Sequence, residues 1–203
     1  YEIVNDSNYV IKNPEQYIGK YKELFNNDNP INIEIGMGKG DFIIGMAKKY
    51  PNTNFIGIEK YESVMVRAVE KLENIDLPNL KLINIDAKEI INIFGKEIDT
   101  IYLTFCDPWP KKQDEKRRFT HPVYLRLYDR IFKKHKHIIL KTDNKGFFAY
   151  SLEYLSSYWY TFEKVSLDLH HDERNIPNIM TNYEKQYFKE GRPIYYVDAV
   201  YED

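Results

Sequence analysis

Apolar residues fall into short runs that alternate with segments of helical period. That alternation predicts strand–helix–strand units around a mostly parallel sheet. Ile31-Asn32-Ile33-Glu34-Ile35 reads as a first strand ending at Gly36. A helix follows from about Asp41 to Tyr50, halted by Pro51. Phe55 to Ile58 is a second strand, then a helix from about Ser63 to Asn74 with Val64, Val66, Ala68, Val69 and Leu72 as apolar positions. Leu80 to Ile85 and Ile98 to Phe105 predict a third and a fourth strand, and Asp86 opens a helical segment after the third. Thr120, His121 and Pro122 mark a helix start, since proline is tolerated in a first turn. That helix runs towards Lys134, and His137 to Lys141 is a fifth strand. Tyr160 to Leu169 and Ile194 to Tyr201 are β-branched and aromatic, and are expected to pair antiparallel around a long insertion. Residues 1–30 show no strand pattern and are expected to be a helical extension. Residues 31–203 then form a single α/β domain without repeats or low-complexity linkers.

Composition narrows the class. At 203 residues, 43% hydrophobic and 30% charged, the chain has a globular balance that excludes disorder and fibrous repeats. No apolar run approaches the ~20 residues of a membrane span, so no membrane partner is expected. Tyr1 to Asp6 lack the basic-then-apolar pattern of a secretory signal. The single cysteine, Cys106, excludes an internal disulfide and a Cys-rich zinc site, and a cytoplasmic location is the expectation. With 29 basic and 31 acidic residues the net charge is −2, so any nucleic-acid surface must be a local patch.

Candidate chemistry starts at Glu34-Ile35-Gly36-Met37-Gly38-Lys39-Gly40, where a strand hands over to a helix. Glycines there permit a turn and a ligand approach that a Cβ would block. Glu59 ends the next strand roughly 20 residues on, where an acid can accept from ribose hydroxyls. A nucleoside-type cofactor is expected, but the third glycine comes too early for the dinucleotide pattern. Glu34, Glu59, Asp86 and Asp107 all lie at strand ends. A pyrophosphate within ~5 Å of one such carboxylate meets about 3 kcal/mol of repulsion at an effective dielectric of ~20. S-adenosylmethionine, with its sulfonium and ammonium, suits an acidic pocket better. Asp86 is placed to accept from an adenine amino group, to cap a helix, or both.

Cys106-Asp107-Pro108-Trp109-Pro110 follows the fourth strand as a stiff loop at the carboxyl edge of the sheet, able to hold Asp107 at the mouth of the site. Next stands Lys111-Lys112-Gln113-Asp114-Glu115-Lys116-Arg117-Arg118, a charged run that backbone phosphates could engage beside the reaction centre. A second basic stretch, Lys133 to Lys136, reads as a solvated helix C-terminus favoured by the macrodipole. His170-His171-Asp172-Glu173 reads as a connection, because neighbouring side chains of an extended segment alternate faces; no metal is expected.

With these pieces assembled, the chain resembles the bacterial tRNA (guanine-N7)-methyltransferase family. The resemblance rests on Glu34 to Gly40, Gly57-Ile58-Glu59, Asp86-Ala87, Asp107 to Lys112, Lys116-Arg117-Arg118, Thr142-Asp143 and Asn178 to Glu184. It implies a Rossmann-like class I methyltransferase fold, seven-stranded and mostly parallel with the last strand antiparallel and helices on both faces. It implies S-adenosylmethionine bound by Glu34, Gly36, Gly38, Gly40, Glu59, Asp86 and Asp107, with Asp107 also catalytic. It further implies Lys111, Asp143, Thr181, Asn182, Tyr183 and Glu184 as substrate contacts. Gln113, Asp114, Glu115, Lys116, Arg117 and Arg118 would then contact RNA. The implied target is guanine 46 in the variable loop of tRNA, with the enzyme a monomer or homodimer. Two positions depart from the family's pattern: Gln113-Asp114 where Arg-His is usual, and Thr104 where Asn is usual.

Guanine N7 has a free lone pair, so its methylation requires in-line approach to the donor more than a strong base. Three rivals remain open on the residues alone. An exocyclic-amine methyltransferase also places a polar residue, a proline and an aromatic after strand four. A pyrimidine C5-methyltransferase would use Cys106 as its nucleophile. A non-catalytic RNA-binding module would keep the fold alone.

Overall fold

The computed structural model describes residues 2–203. Seven strands form one sheet in the order β3-β2-β1-β4-β5-β7-β6. β1 (Ile31–Ile35), β2 (Asn54–Ile58), β3 (Leu80–Ile83), β4 (Thr100–Thr104) and β5 (Lys136–Thr142) run parallel. β6 (Thr161–Ser166) and β7 (Tyr195–Tyr201) complete the sheet through antiparallel pairing. β7 lies inside the sheet, between β5 and β6, with Val197 opposite both Leu140 and Val165. The central strands are buried on both faces, which is why they read as nearly continuous apolar runs.

Side-chain alternation divides the core into two layers. Ile33, Ile56, Ile101, Leu140 and Val197 face the side covered by α5 (Pro122–Asp129) and α6 (Lys145–Ser157). Phe55, Leu82 and Tyr102 face α3 (Asp41–Lys49) and α4 (Glu62–Lys71). Residues 2–30 pack onto this frame with two short helices, α1 (Glu2–Asp6) and α2 (Tyr21–Phe25). Tyr21 is fully buried, and Val10 makes a parallel bridge to Leu82 beyond the edge strand.

Several element ends differ from the pattern's expectation. α5 stops at Asp129, because the backbones of Ile131 and Lys133 turn to bond Glu97 and Ile98. Lys133 to His135 is therefore a bend leading into β5, and Lys136, the first residue of β5, pairs with Asp129 at 2.8 Å rather than capping a helix. β3 ends at Ile83, and Asn84 instead donates its side-chain amide to the carbonyls of Glu59 and Lys60. The structure also adds two helices, α6 and α7 (Asn182–Lys189). α7 sits in the long β6–β7 connection and starts with a capping box in which Thr181 and Glu184 satisfy each other's backbone donors. Among the described residues no helix is long and apolar enough to cross a membrane.

Candidate active site at the carboxyl edge of the sheet

The parallel strands deliver their C-terminal loops to one edge, where open α/β sheets bind ligands. Two adjoining cavities lie there. One, of 430 Å³, is lined by Gly36, Gly38, Glu59, Asp86, Trp109 and Tyr124 among others. The second, of 690 Å³, is lined by Glu34, Phe42, Asp143, Thr181, Tyr183 and Tyr187 among others. Gly36, Gly38, Phe105, Cys106 and Asp107 line both, so Asp107 stands where the two cavities join. Its side chain is exposed and carries no ion pair among the described residues.

Local sequence builds the first cavity. Glu59 accepts from the Gly38 N–H at 2.9 Å and the Tyr61 N–H at 3.1 Å, tying the glycine loop to the start of α4. Lone pairs remain on its carboxylate. Gly38 has φ +56° and nothing within 4 Å of where a Cβ would stand, so its backbone is open to a ligand. Gly40 has a different task and lines neither cavity. It precedes α3 at φ +84°, and a Cβ there would come 2.9 Å from that of Ala68, so its smallness serves α3–α4 packing. Asp86 is a cap, as expected, and its position leaves it open to a ligand. It caps the following turn through the Lys88 N–H at 3.0 Å, and it faces the cavity. Its other oxygen lies 3.2 Å from Lys60 Nζ. Partial burial raises its pKa, but Lys88 N–H and Lys60 outweigh that and hold it below the ordinary value.

Glu34 changes the electrostatics. It is 1% exposed in the middle of the sheet, with one oxygen accepting from Thr104 Oγ1 and the other without a partner. Burial pushes its carboxyl up to about 8, against the opposing pull of Thr104 and Lys141. Near neutral pH Glu34 is mostly protonated and Asp86 is paired, so the rim is less negative than a count of acids implies.

The loop after β4 is stiff for reasons beyond its prolines. Phe105 and Trp109 both sit at positive φ, +52° and +45°, unusual for bulky residues. Arg118 holds the far side: its Nε donates to the Trp109 carbonyl at 3.0 Å, and its guanidinium lies 4.4 Å from the Tyr150 ring centre. Arg118 is thereby drawn into the loop, whereas Gln113, Lys116 and Arg117 are exposed and Asp114 and Glu115 are half-buried. Arg117 covers the Trp109 ring at 4.7 Å. Lys111 is exposed beside the loop and lines neither cavity. Cys106 is buried, and burial pushes its thiol up to about 12, so it offers no thiolate for C5 chemistry.

Distant segments build the second cavity. Asp143, just past β5, pairs with Arg192 at 3.2 Å, and the Arg192 guanidinium lies 4.3 Å over the Tyr187 ring. Phe105, Tyr183 and Tyr187 form an aromatic wall with ring centres 5.4 to 6.1 Å apart. Thr181, Asn182 and Tyr183 line the cavity, but Glu184 does not. Expected as a substrate contact, Glu184 is fully enclosed, and its oxygens are taken by Lys141, the Thr181 N–H, Asn178 and His170 at 2.7 to 3.1 Å. Burial raises the Glu184 pKa, but Lys141 outweighs it and holds the carboxyl below its ordinary value. His171 pairs with Asp168 at 3.1 Å, and the described residues contain no cluster of three metal-ligand side chains.

Phe105, Tyr187, Arg192 and Lys141 escaped the sequence reading. Lys141 alone left a signal, a lysine closing the apolar run Ile138-Ile139-Leu140.

Residues 28–197 match the family model described as "Putative methyltransferase". The chain is 50% identical over 194 residues to a tRNA (guanine-N(7)-)-methyltransferase of Geobacillus sp. (strain WCH70), covering 95% of this chain and 88% of that protein. It is 50% identical over 193 residues to that of Listeria monocytogenes, covering 95% and 90%. Among solved structures it resembles a SAM dependent methyltransferase from Aquifex aeolicus at a TM-score of 0.58 and 13% identity, covering 93% of this chain and 89% of that one; this likeness speaks to fold. The paired cavities, the Asp107 loop and these matches agree: the chain belongs to the tRNA (guanine-N(7)-)-methyltransferase family.

Proposed function

We propose that the protein transfers a methyl group from S-adenosylmethionine to N7 of guanine in tRNA, with guanine 46 of the variable loop as the target. The observation that carries this reading is the meeting of the two cavities at Asp107. One side suits an adenosine: an open glycine backbone, a glutamate with spare lone pairs and aromatic residues such as Tyr124. The other suits a purine: a wall of Phe105, Tyr183 and Tyr187 with Asp143 beside it.

The residues present fit the methyl donor. The unpartnered buried oxygen of Glu34 faces a cationic group well, and Gly38 leaves room for close approach. In this reading Glu59 and Asp86 hold the nucleoside, and Glu34 lies towards the amino-acid part. When bound, the donor supplies an electrophilic methyl on a positively charged sulfur. Guanine N7 would take the methyl with its own lone pair as the methyl–sulfur bond breaks and neutral S-adenosylhomocysteine leaves, and no proton need be removed first.

The chain's own contribution is position and charge. Holding the reacting atoms in line at near-attack distance lowers a barrier by several kcal/mol, up to about 7–11 in ideal models. Asp107, held by a constrained loop, stabilises the positive charge that spreads into the purine, or accepts from its N–H groups. Asp143 anchors the base from the other strand end. Gln113 to Arg117, with Lys111, offer contacts for the tRNA backbone. The test is incubation of the protein with labelled S-adenosylmethionine and unmodified tRNA, followed by nucleoside mass spectrometry. 7-methylguanosine supports the reading; a methyl on an exocyclic amine or at C5 overturns it.

A further inference from the structure

The acceptor cavity has a wall that the sheet does not supply. Thr181, Asn182 and Tyr183 come from the β6–β7 connection, which the chain reaches some forty residues after Asp143. A connection of this length needs something to fix it against the sheet. Its own small apolar cluster, Leu169, Ile176 and Ile194 with Tyr196, supplies bulk but little direction. Two contacts supply direction. Ile179 packs onto α3 so closely that a Cβ at Gly45 would lie 2.6 Å from its Cγ2. Lys141 reaches from β5 and donates to Asn178 Oδ1 at 2.8 Å, the Ile179 carbonyl at 2.9 Å and Glu184 Oε2 at 2.7 Å.

All three donor sites of that ammonium are used, and every acceptor belongs to the connection that carries the wall. Its side chain is 2% exposed and that of Glu184 is 0% exposed, so the pair is shielded from bulk solvent. Glu184 passes the constraint on, accepting from the Thr181 N–H and from Asn178 and His170. Lys141 also lies 4.5 Å from the ring centre of Phe42, which lines the acceptor cavity, and two residues before Asp143. One side chain therefore ties together both sources of acceptor contacts, β5 and the connection.

We infer that Lys141 is a positioning residue for the methyl acceptor, setting the Thr181–Tyr183 wall in register with Asp143. This rests on the functional reading above. A buried pair is weak evidence of net stabilisation, since apolar replacement of both partners is often neutral, but removing one partner leaves an uncompensated charge. That asymmetry separates positioning from stability.

The experiment compares the unaltered full chain, Lys141→Met, Lys141→Met/Glu184→Gln and Asn178→Ala. It measures melting temperature, S-adenosylhomocysteine affinity by calorimetry, and initial rates over a range of tRNA concentrations. Lys141→Met lowers the melting temperature and cuts kcat/KM for tRNA at least thirtyfold. The double variant, with no charge left unpaired, regains most of the melting temperature but stays at least tenfold down in kcat/KM. Asn178→Ala removes one acceptor without stranding a charge and costs three- to tenfold, so the inference is testable even where the lysine variant fails to fold. S-adenosylhomocysteine affinity stays within threefold in Asn178→Ala and falls less than kcat/KM in the Lys141 variants, where Glu34 loses a nearby cation. Recovery of kcat/KM together with melting temperature in the double variant, or affinity for S-adenosylhomocysteine falling in step with rate, overturns the positioning role. So does a normal rate in Asn178→Ala. Failure of the unaltered chain to form 7-methylguanosine overturns the functional reading instead.

Discussion

The two cavities that meet at Asp107 are built differently. The donor side comes from consecutive strand ends: the glycine loop after β1, Glu59 after β2, Asp86 after β3. Each is fixed by hydrogen bonds to its near neighbours, as in the Glu59 contacts to Gly38 and Tyr61. The acceptor side brings together β5, α3 and a connection that returns from the far edge of the sheet, and a buried ion pair holds them. A site of the first kind tolerates change elsewhere in the molecule. A site of the second kind depends on side chains that touch no ligand.

The largest expected effect lies at the junction. Asp107→Ala should lower kcat by about a thousandfold, roughly 4 kcal/mol of transition-state stabilisation. Donor affinity should change only a few-fold, as calorimetry with S-adenosylhomocysteine can read. Near-normal turnover would remove Asp107 from catalysis. On the donor side, Glu59→Gln keeps the shape but weakens the acceptor that holds Gly38 and Tyr61. Donor affinity is expected to fall about ten- to a hundredfold, 1.4–2.7 kcal/mol, with tRNA binding in a gel-shift assay unchanged. Equal losses of both would mean that the two halves are not separable.

Smaller effects sharpen the contrast. Arg118→Lys removes the Nε bond to the Trp109 carbonyl and the guanidinium lying over the Tyr150 ring while keeping the charge. A roughly tenfold loss of kcat with little change in the salt dependence of tRNA binding would assign it to the loop; a lost phosphate contact would flatten the salt slope instead. Glu34 gives a pH signature. The folded protein retains a proton that the unfolded chain loses above about 4.5, so this carboxyl's support for folding declines as pH rises through about 8. A cation bound beside it favours the ionised form, so donor binding near pH 7 should release up to about one proton. Calorimetry in two buffers of different ionisation enthalpy reads that release, and Glu34→Gln abolishes it; identical heats in both buffers would refute the placement. Cys106→Ala should leave the rate within about twofold, because a thiol pushed up to about 12 does no chemistry at neutral pH.

The same division governs what the sequence could reveal. Ile31 to Gly40 shows a strand, a turn and a helix start within ten residues, so both fold and chemistry were readable there. α6 escaped although Phe147, Tyr150 and Tyr154 recur at the helical spacing i, i+3 and i+7 on one face. Glu184 was assigned to the substrate by resemblance, although its place in a capping box, Thr181 followed three residues later by Glu, announced a structural task. Arg192 and Tyr187 gave no local sign, since their meeting with Asp143 exists only in three dimensions. Gly40 looked like its two companions, and the fold distinguishes it, through the nearness of Ala68 and its place outside both cavities.

The left-handed backbone at Phe105 and Trp109 has a consequence for anyone seeking a hardier enzyme. Such conformations cost of order 1–3 kcal/mol each at bulky residues. Glycine at Trp109 would relieve that tension without removing a ring from the Phe105–Tyr183–Tyr187 wall, so a screen for heat resistance could select it. The survivors would carry a slack hinge beside the carboxylate, trading turnover for endurance.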